Sequence, residues 1–440
     1  METKKEPTTK ASPSKFEHFY HEVLVPFFNK VQDRRRENSS YKLSDALKSG
    51  YAIYSLKSPS LFHFRKKSEA EESNLKTIYG IRDIPSDNGL RKILDDIPSE
   101  ELSEAFALLF SRIKQEGLLR DYYYWNKHLV VSIDGVEHFS SKKISCPHCL
   151  QRKHRDGSLS NYHSMLSAAV VCPGEKEVFV INNEPIVRQD GEQKNDCELN
   201  AAKRLLNKLQ LTHNQELMVL TMDALYACGP LVCRINENPN WRYVINVKES
   251  SHQALFEQFD GLNEEYKVHW EDIKTAEGAY TFGYVNNLSL NDSNPDVLCN
   301  FLYCIWKNKK GEEKIFSWIT NITLSRKTIM SVMRMGRSRW KIENEVFNTL
   351  KNQDYNFSHN FGHGQENLCT NFAYLMMLAF TVDQAQQRAC KYFQVILKHL
   401  KTKLKLWEAV NVVFRIIPCE SMTDLYGEIC KMYKIQVDSG

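Results

Sequence analysis

The chain has 440 residues, 42% hydrophobic, 11% aromatic and 25% charged, a balance that fills a sizeable core and excludes disordered, collagen-like and coiled-coil chains. Its length suits two or three domains. The 58 Lys and Arg against 54 Asp and Glu leave a net charge of +4, too mild to establish a nucleic-acid partner but compatible with a local basic surface. No run of 18 apolar residues occurs, and the opening METKKEPTTKASPSK has no apolar signal core. Neither a membrane span nor a secretory signal is expected, and a soluble cytoplasmic protein is. Most of the 12 cysteines, among them Cys172, Cys228, Cys233, Cys304 and Cys390, sit in apolar stretches and read as buried reduced thiols.

Residues 1–15 are polar and rich in Lys, Thr, Ser and Pro, the composition of a flexible tail. Residues 16–124 read as a helical N-terminal domain. FEHFYHEVLVPFFNKV and ELSEAFALLFSRIKQEG repeat apolar residues at three- and four-residue spacing, and IPSDNGLRKILDDI opens on a cap at Ser86 or Asp87. The run Arg34, Arg35 and Arg36 could contact phosphate, although such runs are usually solvated faces.

The texture changes near Lys127. KHLVVSIDG predicts a buried strand that ends in a turn at Asp134-Gly135, and MLSAAVVC and EVFVIN predict further strands. DGEQKNDCE holds Asp190, Glu192, Asp196 and Glu198, with Asp196 placed to cap the amphipathic helix NDCELNAAKRLLNKLQ. ELMVLTMDALY predicts a strand ending in Asp223, and WRYVINVK another. Strands alternating with helices make residues 125–248 the first part of an α/β core. Residues 249–316 lose that rhythm and read as a β-rich insertion, with KNKKGEEKIFSWIT forming a hairpin tipped by Lys310-Gly311. Residues 317–364 return to the core with a helix over about 326–350, and 365–440 form a C-terminal helical region.

Asp134 and Asp223 each end an apolar strand, and a carboxylate there sits at the open edge of the sheet, where α/β proteins place their sites. Either one alone reads more simply as a turn or cap. A third acid, Glu343, lies in GRSRWKIENEVFNTLK, with Glu345 two residues on. Two strand acids and one helix acid could together hold two Mg²⁺ or Mn²⁺ ions for an in-line phosphoryl displacement. Arg339, four residues before Glu343, is expected on the same helix face, and Lys351, eight residues after it, near that face. The cluster Arg334, Arg337, Arg339 and Lys341 beside those acids would suit a phosphate backbone.

IDG at Asp134, MDA 89 residues later and RxRWxIEN after another 120 resemble the DDE transposases of bacterial insertion sequences, and in particular the insertion sequence 4 superfamily. That group carries a Y-R-E-K signature around its catalytic glutamate. Arg339 and Glu343 match the R-E spacing, whereas the Tyr position holds Gly336 and Lys351 comes one residue late. ENEVFNTLKNQDYNFSHNFGHG resembles one subgroup, and the likeness covers about residues 80–380. The resemblance implies an α/β fold with a ribonuclease-H-like core, a β-rich insertion between the second and third acids, and helical regions at both ends. The helical N-terminal domain would bind DNA and the later helices would support a synaptic dimer. It implies Asp134, Asp223 and Glu343 as catalytic metal ligands, two Mg²⁺ or Mn²⁺ ions, and DNA contacts from Arg339, Lys351 and Arg337. Trp318 would hold a flipped base during a hairpin step, a role weighed evenly against that of a core aromatic. The partners implied are double-stranded DNA, both terminal inverted repeats and target, and a second subunit, in a nucleoid-associated prokaryotic setting. Two alternatives remain: a transposase-derived DNA-binding protein without catalysis, and a structure-specific nuclease without strand transfer.

Outside that set, CPHC at 146–149 followed by His154 and His163 supplies zinc-type ligands, but without the usual second-half spacing. A metal-free loop fits the sequence at least as well.

Overall fold

The computed structural model describes residues 15–36, 39–70, 72–191 and 194–437. Apart from Lys15, the expected tail lies outside the described residues, as does the Asp196 side chain expected to cap a helix. The chain divides into two compact units, residues 1–118 with 350–440, and residues 119–349. The first gathers segments that patterning alone assigns to separate N- and C-terminal regions.

In the first unit the described elements are helical: α1 (Val25–Lys30), α2 (Leu43–Ser55), α3 (Leu61–Ala70), α4 (Glu72–Tyr79), α5 (Asp87–Asp95) and α6 (Ser99–Gln115), then α12 (Leu368–Ala389), α13 (Lys391–Leu400), α14 (Lys403–Ile416) and α15 (Met422–Met432). Ser86 caps α5, its hydroxyl accepting the Gly89 N–H. The first turn of α6 carries Glu100 and Glu101 and its last turn Arg112 and Lys114, the arrangement its dipole favours. Every residue of α12 from Leu368 to Gln386 is buried, so it is the core helix around which α2, α5 and α6 pack. The Asp95 carboxylate accepts the N–H groups of Gln365, Glu366, Asn367 and Leu368 and thereby satisfies the amino end of α12.

The second unit is built on an eleven-stranded mixed sheet: β1 (Tyr123–Trp125), β2 (His128–Ser141), β3 (Leu150–Lys153), β4 (Leu159–Val171), β5 (Phe179–Ile186), β6 (Met218–Met222), β7 (Trp241–Asn246), β8 (His269–Thr275), β9 (Gly278–Asn291), β10 (Asn294–Lys307) and β11 (Glu313–Thr320). The order is β3-β4-β2-β6-β7-β11-β10-β9-β8, with β1 on β2 and β5 on β4. Among the described residues, only β2–β6 and β6–β7 run parallel. All five residues of β6 are buried, as a central parallel strand requires. The helices of this unit are α7 (Lys194–His213), α8 (Gly229–Asn236), α9 (Gln253–Glu264) and α10 (Ile329–Ser338).

Within 249–316, α9 is followed by antiparallel strands that extend the same sheet. The β10–β11 turn has Gly311 at φ +86°, while Asn308 Oδ1 accepts the N–H groups of Lys310 and Glu312. Three local expectations need correction. The strand predicted to stop at Asp134 continues to Ser141, because β4 goes on pairing with it after β6 has ended. The helix predicted over 326–350 is interrupted: α10 ends at Ser338, a π-helical turn spans Ile342–Phe347, and α11 (Asn348–Asn352) follows. Cys172, Cys304 and Cys390 are buried, but Cys228 is half-buried and Cys233 exposed.

Candidate active site

The site is set by strand register. β2 and β6 pair Leu129 with Met218 through Ser132 with Thr221, and the same offset carries on to Asp134 beside Asp223. β6 and β7 pair Met222 with Ile245, which brings Asn246 next to Asp223, and β7 and β11 pair Asn246 with Trp318. Asp134, Asp223, Asn246 and Trp318 therefore form one row across four neighbouring strands, on one face of the sheet. The segment that carries Glu343 packs on that face, where Ser132 donates its hydroxyl to the Arg339 carbonyl at 3.0 Å.

The three acids differ in their surroundings. Asp134 Oδ1 accepts the Gly135 N–H at 2.9 Å, and Oδ2 receives Arg339 Nη1 at 2.6 Å. Asp223, half-buried, caps a short 3₁₀ turn (Ala224–Tyr226), with Oδ1 accepting the Leu225 N–H at 2.9 Å. The capping role weighed against catalysis is thus present, and it uses one oxygen. Glu343 is exposed in the first turn of the π-helical segment, where the backbone N–H of Asn348 reaches the Glu343 carbonyl. Arg339 is buried against Asp134 rather than paired with Glu343, and its Nε has no hydrogen-bond partner.

A fourth acid lies against Gly135, the residue after Asp134. Glu198, on α7, accepts the Tyr226 hydroxyl at 2.7 Å, and a Cβ added at Gly135 would lie 3.5 Å from its Oε1. Nothing in the sequence placed Glu198 against Gly135.

Of the basic and aromatic candidates, Arg337 lays its guanidinium over Trp306 and Phe316, 5.6 and 5.3 Å from the ring centres. Arg34 and Arg35 are engaged with Glu101 and Asp33. Lys351 lies in α11, in the other unit. Trp318 is 1% exposed, stacked on Phe316 and covered by α10 at Gly336, the packing of the core aromatic weighed against the base-holding role. The glycine at the signature's tyrosine position is explained by the same contact, because any Cβ at Gly336 would overlap the indole. Gly336→Ala is expected to lower stability by about 1–3 kcal/mol despite alanine's better helix propensity. Urea unfolding tests this, and a stabilised variant would show that α10 does not seat on Trp318. Trp340, not singled out from sequence, is half exposed beside Arg339.

Against this geometry, a family model described as Transposase DDE domain matches residues 147–401, more than half of the chain. The chain belongs to the transposase DDE domain family. The match takes in Asp223, Arg339 and Glu343 and begins after Asp134. No curated protein sequence matches the chain.

The donor set of this transposase domain fits a hard divalent cation. It is made of carboxylate oxygens, and Glu343 is open to solvent. Burial pushes the Asp134 carboxyl up from its ordinary 3.8 to about 6; Arg339 and the Gly135 N–H pull it down, while Asp223 and Glu343 add to the rise. A carboxyl with a raised folded-state pKa holds its proton more tightly when folded. Its stabilising contribution is full below the unfolded value and is lost as pH rises through about 6. Metal-free protein should lose up to about 1.4 kcal/mol per pH unit within that window. Denaturant midpoints at pH 4.5 and 6.5 check this, since Asp134→Asn should lack the wild-type decline; equal slopes would refute the assignment.

The zinc-type residues sit elsewhere on the sheet. Cys146, Cys149 and His163 come together, whereas His154 turns aside and bonds Ser160 at 2.9 Å.

Proposed function

We propose that the chain is a DNA transposase that cuts the ends of its element and joins them to target DNA, with Asp134, Asp223 and Glu343 as its catalytic acids. The observation that carries this reading is the Asp134–Asp223 row beside the segment bearing Arg339 and Glu343, in a chain of the transposase DDE domain family. The core is ribonuclease-H-like, and residues 249–316 are its insertion.

Bound Mg²⁺ or Mn²⁺, two ions held by the three acids, would activate the nucleophile and stabilise the charge of the in-line displacement. The protein's own groups supply position and charge. Arg339, buried with Nη1 on the Asp134 carboxylate, would position that acid and add positive charge near the scissile phosphate. Arg337 and Lys351 are further candidates for contact with the DNA backbone. Water attacks a phosphodiester and breaks its P–O3′ bond, leaving a 3′-hydroxyl and a 5′-phosphate. That hydroxyl attacks a phosphodiester of the opposite strand, closing a hairpin and expelling the 3′-hydroxyl of the flanking DNA. Water reopens the hairpin, and the regenerated 3′-hydroxyl attacks a target phosphodiester, expelling a target 3′-hydroxyl. Joining two ends requires two subunits, so the working form is a synapsed homodimer.

The test is Mg²⁺-dependent reaction of the full chain with DNA carrying the element's own terminal repeats and a target duplex. Nicked, hairpin and joined products are expected. Cutting without joining would replace this reading with a nuclease, and binding without cutting in Mg²⁺ or Mn²⁺ would replace it with a DNA-binding derivative. Neither binding nor cutting would overturn it.

A further inference from the structure

We propose that Cys146, Cys149 and His163 bind a structural zinc ion that staples the β2–β3 connection to β4. The two sulfurs are 3.7 Å apart, and each lies 3.4 Å from His163 Nε2. A tetrahedral zinc with bonds of about 2.3 Å to sulfur and about 2.0 Å to nitrogen sets its ligand atoms about 3.8 and 3.5 Å apart. All three separations agree with that within about 0.2 Å. A disulfide is a poor match, since its sulfurs would have to close to about 2.05 Å.

The backbone is folded for the purpose. The Cys149 N–H donates to the Cys146 carbonyl at 3.2 Å, so Cys146-Pro-His-Cys149 turns back on itself and aims both sulfurs at one point. Cys149 leads directly into β3, and Leu150 of β3 pairs with Tyr162 of β4, which brings the following residue, His163, alongside. Cys149 and His163 are 2% and 6% exposed. A buried site of this kind must be close to neutral, and two thiolates with one zinc are. Binding releases the two thiol protons and involves no redox change, with His163 donating as neutral imidazole.

The trio accounts for three of the four ligands of a tetrahedral zinc; the fourth is a water or a further donor side chain. The staple has a physical use. β3 is a four-residue edge strand, LQRK, with only Leu150 buried, so side-chain packing holds it weakly. Metal bonds close the loop between Cys146 and His163 and anchor this edge to β4, the strand that pairs with β2 at Asp134. The proposal is independent of the catalytic reading.

The experiment is metal analysis of the full chain purified without chelator or polyhistidine tag. About one zinc per chain is expected, falling severalfold or more in Cys146→Ser and unchanged in His154→Ala. Because Cys149→Ser and His163→Ala remove buried groups and could fail to fold, the decisive second measurement uses wild-type protein. Replacing the metal with Co²⁺ should give the charge-transfer absorption of thiolate ligands, and chelation should lower Tm. Zinc near zero in wild type after reconstitution, a Cys146–Cys149 disulfide found by mass spectrometry, or cobalt spectra without thiolate bands would each overturn it.

Discussion

Asp223→Ala is expected to cut Mg²⁺-dependent cleavage of element-end DNA by at least about a thousandfold, or about 4 kcal/mol of transition-state stabilisation, with end binding within a few-fold of wild type. The size follows from what the residue would do, since a carboxylate that positions a catalytic ion has no substitute nearby in a row where Asp134 is held by Arg339. The structural loss is small by comparison. Asp223 also caps the turn at Ala224, and losing such a cap costs about 1 kcal/mol. Asp223→Asn keeps an acceptor for the Leu225 N–H and removes the charge, so it should be equally inactive yet more stable than the alanine variant. Asp134→Ala and Glu343→Ala should match it, while Glu345→Ala should cut normally. Full cleavage by Asp223→Asn would remove the acid from the mechanism, and inactivity at Glu345 with activity at Glu343 would move the catalytic position by two residues.

Asp383→Ala should destabilise the helical unit by about 3–5 kcal/mol, because it strands a buried ammonium. Lys57 Nζ lies 2.7 Å from Asp383 Oδ2, with the two side chains 1% and 7% exposed. Lys57 also donates to the Ser55 carbonyl, and the Tyr355 hydroxyl donates to the same Asp383 oxygen. The ammonium sits 4.2 and 4.0 Å from the ring centres of Tyr355 and Trp407. Burial holds the Lys57 pKa below its ordinary value and Asp383 opposes that, so without Asp383 the lysine must either stay charged in an apolar site or lose its proton. Replacing both members, with Lys57→Met and Asp383→Leu, should recover most of the loss, as apolar substitution of buried pairs often does. Urea unfolding of the three variants decides the matter: a loss below about 1 kcal/mol for Asp383→Ala alone would mean that water reaches the pair.

Much of this molecule was legible because its signals are local. Apolar spacing marked the helices before Tyr124, hydroxyl chemistry marked the Ser86 cap, and β-branched runs marked β2, β6 and β7. The residues Lys310-Gly311 marked their turn for the same reason. Even the 89 residues between Asp134 and Asp223 proved to equal the register offset of β2 and β6. Decisions that depend on partners distant in the chain were not legible. Asp134 lies within a strand rather than at its end, because β4 keeps pairing after β6 stops. Trp318 is buried because α10 presents a residue without a side chain above it, and Arg339 turns to Asp134 because the helix is interrupted at that point. Spacing offered His154 as readily as His163, but only His163 lies on β4 opposite the turn of the two cysteines. Periodicity reports which residues share an element, whereas which elements share an edge, a face or a ligand is decided by packing and register formed only when distant parts of the chain meet.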